Sequence, residues 1–388
     1  MVDILGSIAD FLISFFVILL LLVFFYGQNW QGWYASKQIK RAVNDLAVWR
    51  DYGIELIKKS IDPYRSESIT NREIEVFIRE MLDFFVLSPS TIEPHIYQKM
   101  HFLMSRREER FHQLIKKFLP NIDDLSLTKI TSLLNTTIEL DSLCKNVRHN
   151  LIVGEKTKSY LFLLQTASEI SQTMLTAKAY VRALDSFMGT SPIGDSIGPL
   201  AVKNFVLDNI TKKNPSGDEL EQDFKFNDII FEEIMFKSRN CICGRPIGPE
   251  SRVGKPGDAL ESLLNKLNSE NRQIALIITI DAFLRLEGEK SGTVAQGLGV
   301  AIGAGKNTNI DKFQIESIAL KQNPSIPLEA IVCRESIVEA VQPMTEEILG
   351  AVPKIVRLLK QIIRSQTEPQ DNIIILGIGN AIGISLRD

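Results

Sequence analysis

Three carboxylates, a lysine and a series of glycines follow one another between Asp281 and Lys306, in the stretch DAFLRLEGEKSGTVAQGLGVAIGAGK. An apolar run, Ile274 to Ile280, precedes them and reads as a buried strand. Asp281 at the strand end, with Glu287 and Glu289 after it, offers oxygen ligands of the kind a hard cation such as Mg2+ takes. Lys290, with Arg252 and Lys255 from an earlier loop, would neutralise a phosphate or carboxylate. A polar surface loop whose carboxylates face water is the competing reading. No other cofactor signature is present.

The glycines carry a second theme. Gly297-Leu-Gly299-Val-Ala-Ile-Gly303 is echoed near the end of the chain by Gly377-Ile-Gly379-Asn-Ala-Ile-Gly383, both of the form GxGxAIG. Such segments let backbone N–H groups approach an anion with no Cβ in the way. Two further loops share the texture: Pro192-Ile-Gly194-Asp195-Ser-Ile-Gly198-Pro199 and Gly248 to Asp258, which holds Arg252, Gly254 and Lys255. The candidate ligand-binding set is therefore Gly194, Asp195, Arg252, Gly254, Lys255, Gly297, Gly299, Gly303, Gly377 and Gly379. Neither GxG run is a dinucleotide fingerprint, because the third glycine falls one position late. Gly303-Ala-Gly305-Lys306 also fails as a P-loop, with Val300 in place of the first glycine and Asn307 in place of Ser or Thr. Glycine-rich strands packed against helices account for the same residues without a ligand.

No catalytic residue is assigned. Cys333 ends a strand-like run, but every histidine (His95, His101, His112, His149) lies in the first half, so no imidazole follows to activate it. Acid–base chemistry in the C-terminal half falls to carboxylates, Lys, Cys or bound water. The four cysteines lack metal-ligand spacing, Cys241-x-Cys243 being too tight for the usual two-residue spacer.

These residues need elements to hold them. From about Phe226 strand-like and helical segments alternate: strands at 229–236, 241–244, 273–280, 328–333 and 372–376, with helices from Asp258, near 311–321 and across 336–363. Alternation of this kind implies a mainly parallel sheet covered on both faces, with ligands at the carboxyl ends of its strands. Residues 37–188 instead carry apolar residues at helical spacing, with a capping box at Thr70-Asn-Arg-Glu73 and a mixed-charge run at Arg106–Arg110. Lys145, Arg148, His149, Lys156 and Lys158 form the densest basic cluster; Asp141 stands at i,i+4 to pair Lys145. Between the two regions, 189–225 reads as a glycine- and proline-rich connection with a short helix, and KKNPSGD at 212–218 as a flexible stretch.

The N-terminus reads IADFLISFFVILLLLVFFY from Ile8 to Tyr26, with Trp30, Trp33 and Tyr34 after it. A helix of about 23 residues there would span about 34 Å, the scale of a bilayer core. Lys37, Lys40, Arg41 and Arg50 follow the run and no basic residue precedes it, so the positive-inside rule places the bulk of the chain in the cytoplasm. The sequence thus predicts a membrane-anchored α plus α/β protein: an N-terminal transmembrane helix (1–36), an all-helical domain (37–188), a connection (189–225) and a C-terminal α/β domain with a mainly parallel sheet (226–388). A net charge of −3 argues against wholesale nucleic-acid binding.

Pro94-His-Ile-Tyr-Gln-Lys-Met-His101, Cys144-Lys-Asn-Val-Arg-His149, Pro192–Pro199 and Glu287-Gly-Glu-Lys-Ser-Gly292 resemble the signatures of an archaeal group of membrane-anchored proteins, the domain of unknown function 1512. The resemblance runs over nearly the whole chain. It implies an archaeal cytoplasmic-membrane protein and no established activity, so it transfers no catalytic residue. From the residues themselves, the leading expectation is a sensor or regulatory module binding a small anionic, phosphate-bearing ligand. A divalent-metal-dependent phosphoryl-transfer or hydrolytic enzyme is the alternative, and a tethered scaffold for a protein partner or a second copy the third.

Overall fold

Apolar residues at helical spacing build α1 (Val2–Ile61), α2 (Asn71–Leu82), α3 (Ile96–Phe118), α4 (Asp124–Thr157), α5 (Tyr160–Met188) and α6 (Ile197–Ile210). Thereafter come β1 (Phe224–Phe226), β2 (Ile229–Phe236), β3 (Arg239–Pro246), α7 (Pro256–Ser269), β4 (Ile274–Leu284) and β5 (Val294–Leu298). The chain closes with α8 (Thr308–Lys321), β6 (Leu328–Glu335), α9 (Ile337–Val341), α10 (Glu346–Leu349), α11 (Val352–Gln366) and β7 (Asn372–Gly377). The computed structural model describes residues 2–67, 69–84, 96–210, 224–303 and 308–385, without the side chains of 2–11, 19–29, 96–98, 101, 210 and 308–309. His95, the KKNPSGD stretch and the Lys306 and Asn307 positions lie outside the described residues. Two compact units divide the chain: Met1–Glu55 with Thr137–Lys178, and Leu56–Thr136 with Ala179–Asp388.

In the first unit Ala35, Ile39, Val43 and Leu46 are buried along one face of α1. Asp141 is buried there between Arg50 Nη1 at 3.6 Å and Lys145 Nζ at 2.7 Å, so the basic cluster is in part an internal ion pair. Glu155 takes Ser36 Oγ at 2.6 Å and Lys40 Nζ at 2.7 Å. In the second unit the predicted capping box at Thr70 forms, with the Thr70 N–H on Glu73 Oε2 at 2.7 Å. Within the mixed-charge run Arg106 Nη1 meets Glu109 Oε2 at 2.7 Å.

Two expectations need correction. Among the described residues no helix is long and apolar enough to cross a membrane, which overturns the transmembrane anchor. The apolar run is part of a 60-residue helix that continues without a break to Ile61 and carries core positions beyond Trp30.

The sheet is mixed rather than mainly parallel. Its order is β1-β2-β3-β7-β4-β6-β5, with β3, β7, β4 and β6 parallel and antiparallel strands at both edges. The antiparallel edge has a local cause. Asn227-Asp228 and Lys237-Ser238 all take positive φ, the backbone of tight two-residue hairpin turns, and such turns reverse the chain between neighbouring strands. Neither pair contains the glycine that usually announces such a turn.

Alternation along the parallel strands builds two cores. Ile373 and Ile375 of β7 join Ile278, Ile280 and Ile331 beneath α6 and α11; Ile374 and Leu376 join Ile277 beneath α7 and α8. The first turn of α6 then sits on the strand ends. A Cβ on Gly198 would meet the main-chain oxygens of Ile280 and Ile378, and Gly377 faces Gly198 just as closely. Gly198→Ala therefore forces α6 off β4 and β7, and a loss of about 1–3 kcal/mol is expected from thermal or denaturant unfolding. Gly297→Ala is the matched control: nothing lies within 4 Å of its Cβ, and the change is expected to be neutral or mildly stabilising.

Candidate functional site

The carboxyl ends of β7, β4 and β6 form one edge of the sheet, where open α/β sheets hold their ligands. Two features meet there. One is a cluster of buried carboxyls, the other a charged cleft.

Asp281 lies in β4, 3% exposed, and its two oxygens take N–H groups from Ala282 and Gly303 at 2.7 Å each. Asp195 stands in the single 3-10 turn, Gly194–Ser196, that leads into α6. Its carbonyl accepts the Asn380 N–H at 3.1 Å and presses against Gly379, whose φ of +124° suits glycine alone. As a residue Asp195 keeps some surface exposure, but protein surrounds its carboxyl. Glu335 ends β6, 1% exposed, and among the described residues neither of its carboxylate oxygens has a hydrogen-bond partner. One of them abuts Gly194, where a Cβ would collide.

Burial pushes all three carboxyls upward. Asp195 rises to about 6, opposed by the Asn380 N–H. Asp281 rises well above the usual carboxylate range, from burial first and the Asp195 charge second, against the N–H groups of Gly303 and Ala282. Glu335 rises to about 9, again from burial first and then from the charges of Asp195, Asp281 and Glu339. Like charges in a poorly solvated place oppose one another's ionisation. In chemical terms this edge can hold protons at neutral pH or accept a cation.

The cleft, of about 620 Å³, opens among α3, the Asp124–Thr136 part of α4, α8 and the loop after β3, all within the second unit. Arg107, His112, Lys116, Arg252 and Lys255 line it, together with the acids Glu108, Asp124, Asp228 and Asp311. Several of these acids are already engaged. Asp124 pairs Lys116 at 3.0 Å, Asp228 lies 3.4 Å from Arg252 Nη1, and Asp311 accepts the Gly257 N–H at 3.1 Å. Lys255 Nζ is placed by Ser105 Oγ at 3.2 Å. Burial lowers the pKa of His112, so a neutral imidazole faces the cleft. Asn380 joins the two features: its side chain reaches Ser251 Oγ at 3.0 Å on the cleft wall, and its backbone N–H holds Asp195.

The sequence candidates separate accordingly. Arg252, Gly254 and Lys255 come together in the cleft. Gly194, Asp195, Gly377, Gly379, Gly303 and Asp281 come together at the strand ends. Gly297 and Gly299 do not join them. Because β5 runs antiparallel to β6, Gly297 lies opposite Ala330 and Gly299, just past the strand, gives its N–H to the Leu328 carbonyl at 3.0 Å, both at the far edge of the sheet. The segment after Gly299 then returns along β4, giving the Ala301 N–H to Thr279 Oγ1 and the Gly303 N–H to Asp281.

The expected metal set of Asp281, Glu287 and Glu289 does not assemble. Glu287 is exposed, and Glu289 turns back to accept the Leu286 N–H at 2.6 Å, a loop-closing role. Among the described residues no group of three or more His, Cys, Asp or Glu stands ready to hold a metal ion. Glu335 was missed as well, falling two residues past the strand expected over 328–333. Its only signal was its place at the end of a β-forming run, the same signal that singled out Asp281.

Two family models match the chain: the N-terminal domain of the protein of unknown function DUF1512 over residues 13–190, and the DUF1512 C-terminal domain of unknown function over residues 193–385. No curated protein and no solved structure matches it.

Raised carboxyl pKa values make stability depend on pH with a fixed sign. Each group binds its proton more tightly in the folded chain than in the unfolded one, where the pKa is about 4. Its stabilising share is complete below about pH 4 and is lost as pH rises through the folded values, about 6 for Asp195 and about 9 for Glu335. Thermal unfolding in chelator-containing buffer is therefore expected to show falling stability from about pH 5 to 9. Glu335→Gln should flatten that fall. An unchanged slope in the variant would contradict the assignment.

Proposed function

The chain belongs to the DUF1512 family, with the N- and C-terminal domains in tandem, and we propose that it binds a small anionic, phosphate-bearing ligand in the cleft beside the carboxyl ends of its parallel strands. One observation carries this reading. Arg252 and Lys255, 150 residues distant in sequence from the α3 wall, converge with Arg107 and Lys116 on one concavity, while the acids among them are largely spoken for by N–H groups and ion pairs. A volume of about 620 Å³ is of the size that takes a metabolite or nucleotide. Fixed cations with a neutral imidazole suit an anion carrying both charge and hydrogen-bonding groups. Such a protein is a sensor or regulatory module.

A second reading, phosphoryl transfer or hydrolysis, has its own support. Asn380 bridges the cleft wall to Asp195, which brings carboxyls of raised pKa, the property of a general acid, next to the ligand.

The test is thermal unfolding of the full-length chain against inorganic phosphate, pyrophosphate and nucleoside mono-, di- and triphosphates. A ligand at 100 times its Kd adds about 2.7 kcal/mol, seen as a shift of a few degrees. The shift is expected to shrink at least tenfold in apparent affinity for Arg252→Gln with Lys255→Gln. A shift that ignores both substitutions, or none for any probe, would contradict the reading. Turnover of the stabilising probe would decide for the enzyme, stable binding without turnover for the sensor.

A further inference from the structure

Among the described residues the outer edge of β5 is bare, and nothing in its sequence guards it. β5 ends the sheet beyond β6, and no described strand pairs with its other side. Exposed strand edges invite another strand, and proteins ordinarily blunt them with charge, proline or extreme shortness. β1, at the opposite edge, is three residues long and carries the exposed Lys225. β5 lacks these devices: residues 291–305 include no charged side chain and no proline. Its hydrogen-bond phase is fixed by the Gly299 N–H on the Leu328 carbonyl at 3.0 Å. With Gly297 opposite Ala330 and Ala295 opposite Val332, alternation turns the N–H and C=O groups of Ala295 and Gly297 to β6. Those of Val294, Gln296 and Leu298 therefore point outward. The surface around this edge is apolar on both faces of the sheet. Leu298 is 87% exposed, on the same face as Val294, which packs against the core beneath α6 and α11. On the other face a Cβ at Gly297 would meet nothing within 4 Å, and Glu316 Oε1 of α8 lies 3.9 Å from the Cβ position of Gly299. Leu320, 71% exposed, follows Glu316 by four residues and so shares its flank of α8.

We propose that β5 is the seat of a homodimer, in which the β5 strands of two copies pair antiparallel about a twofold axis at Gln296 and join their sheets into one. The register makes a second copy the fitting occupant. The outward set is symmetric about Gln296, so the twofold places Gln296 against its own copy and Val294 against Leu298, in both directions. Each of these pairs exchanges both main-chain bonds, about six in all, and no outward N–H or C=O of the strand is left unmet. Residues directly opposite share a face, so the exposed Leu298 lies against Val294 of the other copy, an apolar cross-strand pair at each end. The centre is neutral. Gln296 folds its side chain back to Glu329, with Nε2 2.8 Å from Oε2, which leaves its main chain clear. Glu329 is held as well by Gln366 Nε2 at 2.8 Å. No like charges meet along the joined strands, and the two Leu320 flanks extend the apolar surface on one face. The interface uses none of the residues that line the cleft, so it stands whether or not an anion binds there.

The experiment is sedimentation equilibrium of the full-length chain, with amide hydrogen exchange read residue by residue. A dimer is expected at about 10 µM chain. In it the amides of Val294, Gln296 and Leu298 should be protected as well as those of Ala295 and Gly297. Leu298→Lys places a charge at both ends of the joint, and Leu298→Pro removes an outward donor that only a second strand would use. Each should raise the dimer dissociation constant tenfold or more and release the amides of Val294 and Gln296, while Ala295 and Gly297 stay protected by β6. Leu298 is 87% exposed, so Leu298→Lys should fold as the unaltered chain does. A monomer throughout, association unchanged in both variants, or free exchange at Val294 and Gln296 in the associated chain would each overturn the proposal.

Discussion

The contact between Gly198 and the main chain of Ile280 and Ile378 governs the arrangement of the C-terminal edge. It lets the first turn of α6 rest directly on the ends of β4 and β7, backbone against backbone. A side chain at that position would hold helix and sheet apart. Because the approach is so close, the turn that precedes α6 is carried over the strand ends, and with it Asp195. The same turn covers Glu335 and narrows the space around Asp281. A packing constraint in the sequence PIGDSIGP thus becomes an electrostatic one, in which three carboxyls are crowded into a place that water reaches poorly.

That crowding gives the edge its chemistry. A domain that only needed to fold could replace such acids by apolar residues of similar size at no loss, since buried charge is seldom a net source of stability. Here the neighbouring core offers many apolar contacts, from Ile278, Ile280, Ile331 and Ile375 among others, yet the strand ends keep their acids. The cleft beside them keeps cations of the opposite sign in Arg252 and Lys255. Basic side chains and buried carboxyls therefore lie side by side, linked through Asn380.

Much of this was legible in the sequence, and the failures have identifiable causes. The helical spacing of the first half, the capping box at Thr70 and the apolar strands 274–280 and 372–376 announced themselves, because local periodicity and capping are written in adjacent residues. Asp281 was found because it follows a strand. Glu287 and Glu289 were attached to it by closeness in sequence, but Glu287 is exposed and Glu289 turns back to accept the Leu286 N–H. The two GxGxAIG stretches looked equivalent, but strand direction separates them: Gly377 and Gly379 follow parallel β7 to the strand ends, whereas Gly297 and Gly299 lie along the antiparallel edge and only Gly303 returns to Asp281. The antiparallel edge was missed because Asn227-Asp228 and Lys237-Ser238 turn without glycine. The apolar N-terminal run was read as a membrane anchor from its composition, whereas among the described residues no helix is long and apolar enough to cross a membrane.

The most direct measurement of the central claim, that these carboxyls are crowded and short of compensating charge, is a carboxyl 13C NMR titration of the chain labelled at Asp and Glu. Asp195 and Glu335 are assigned through Asp195→Asn and Glu335→Gln. In chelator the account predicts a midpoint near 6 for Asp195 and near 9 for Glu335. Midpoints near 4 for both groups would show the charges to be already compensated and would contradict the account.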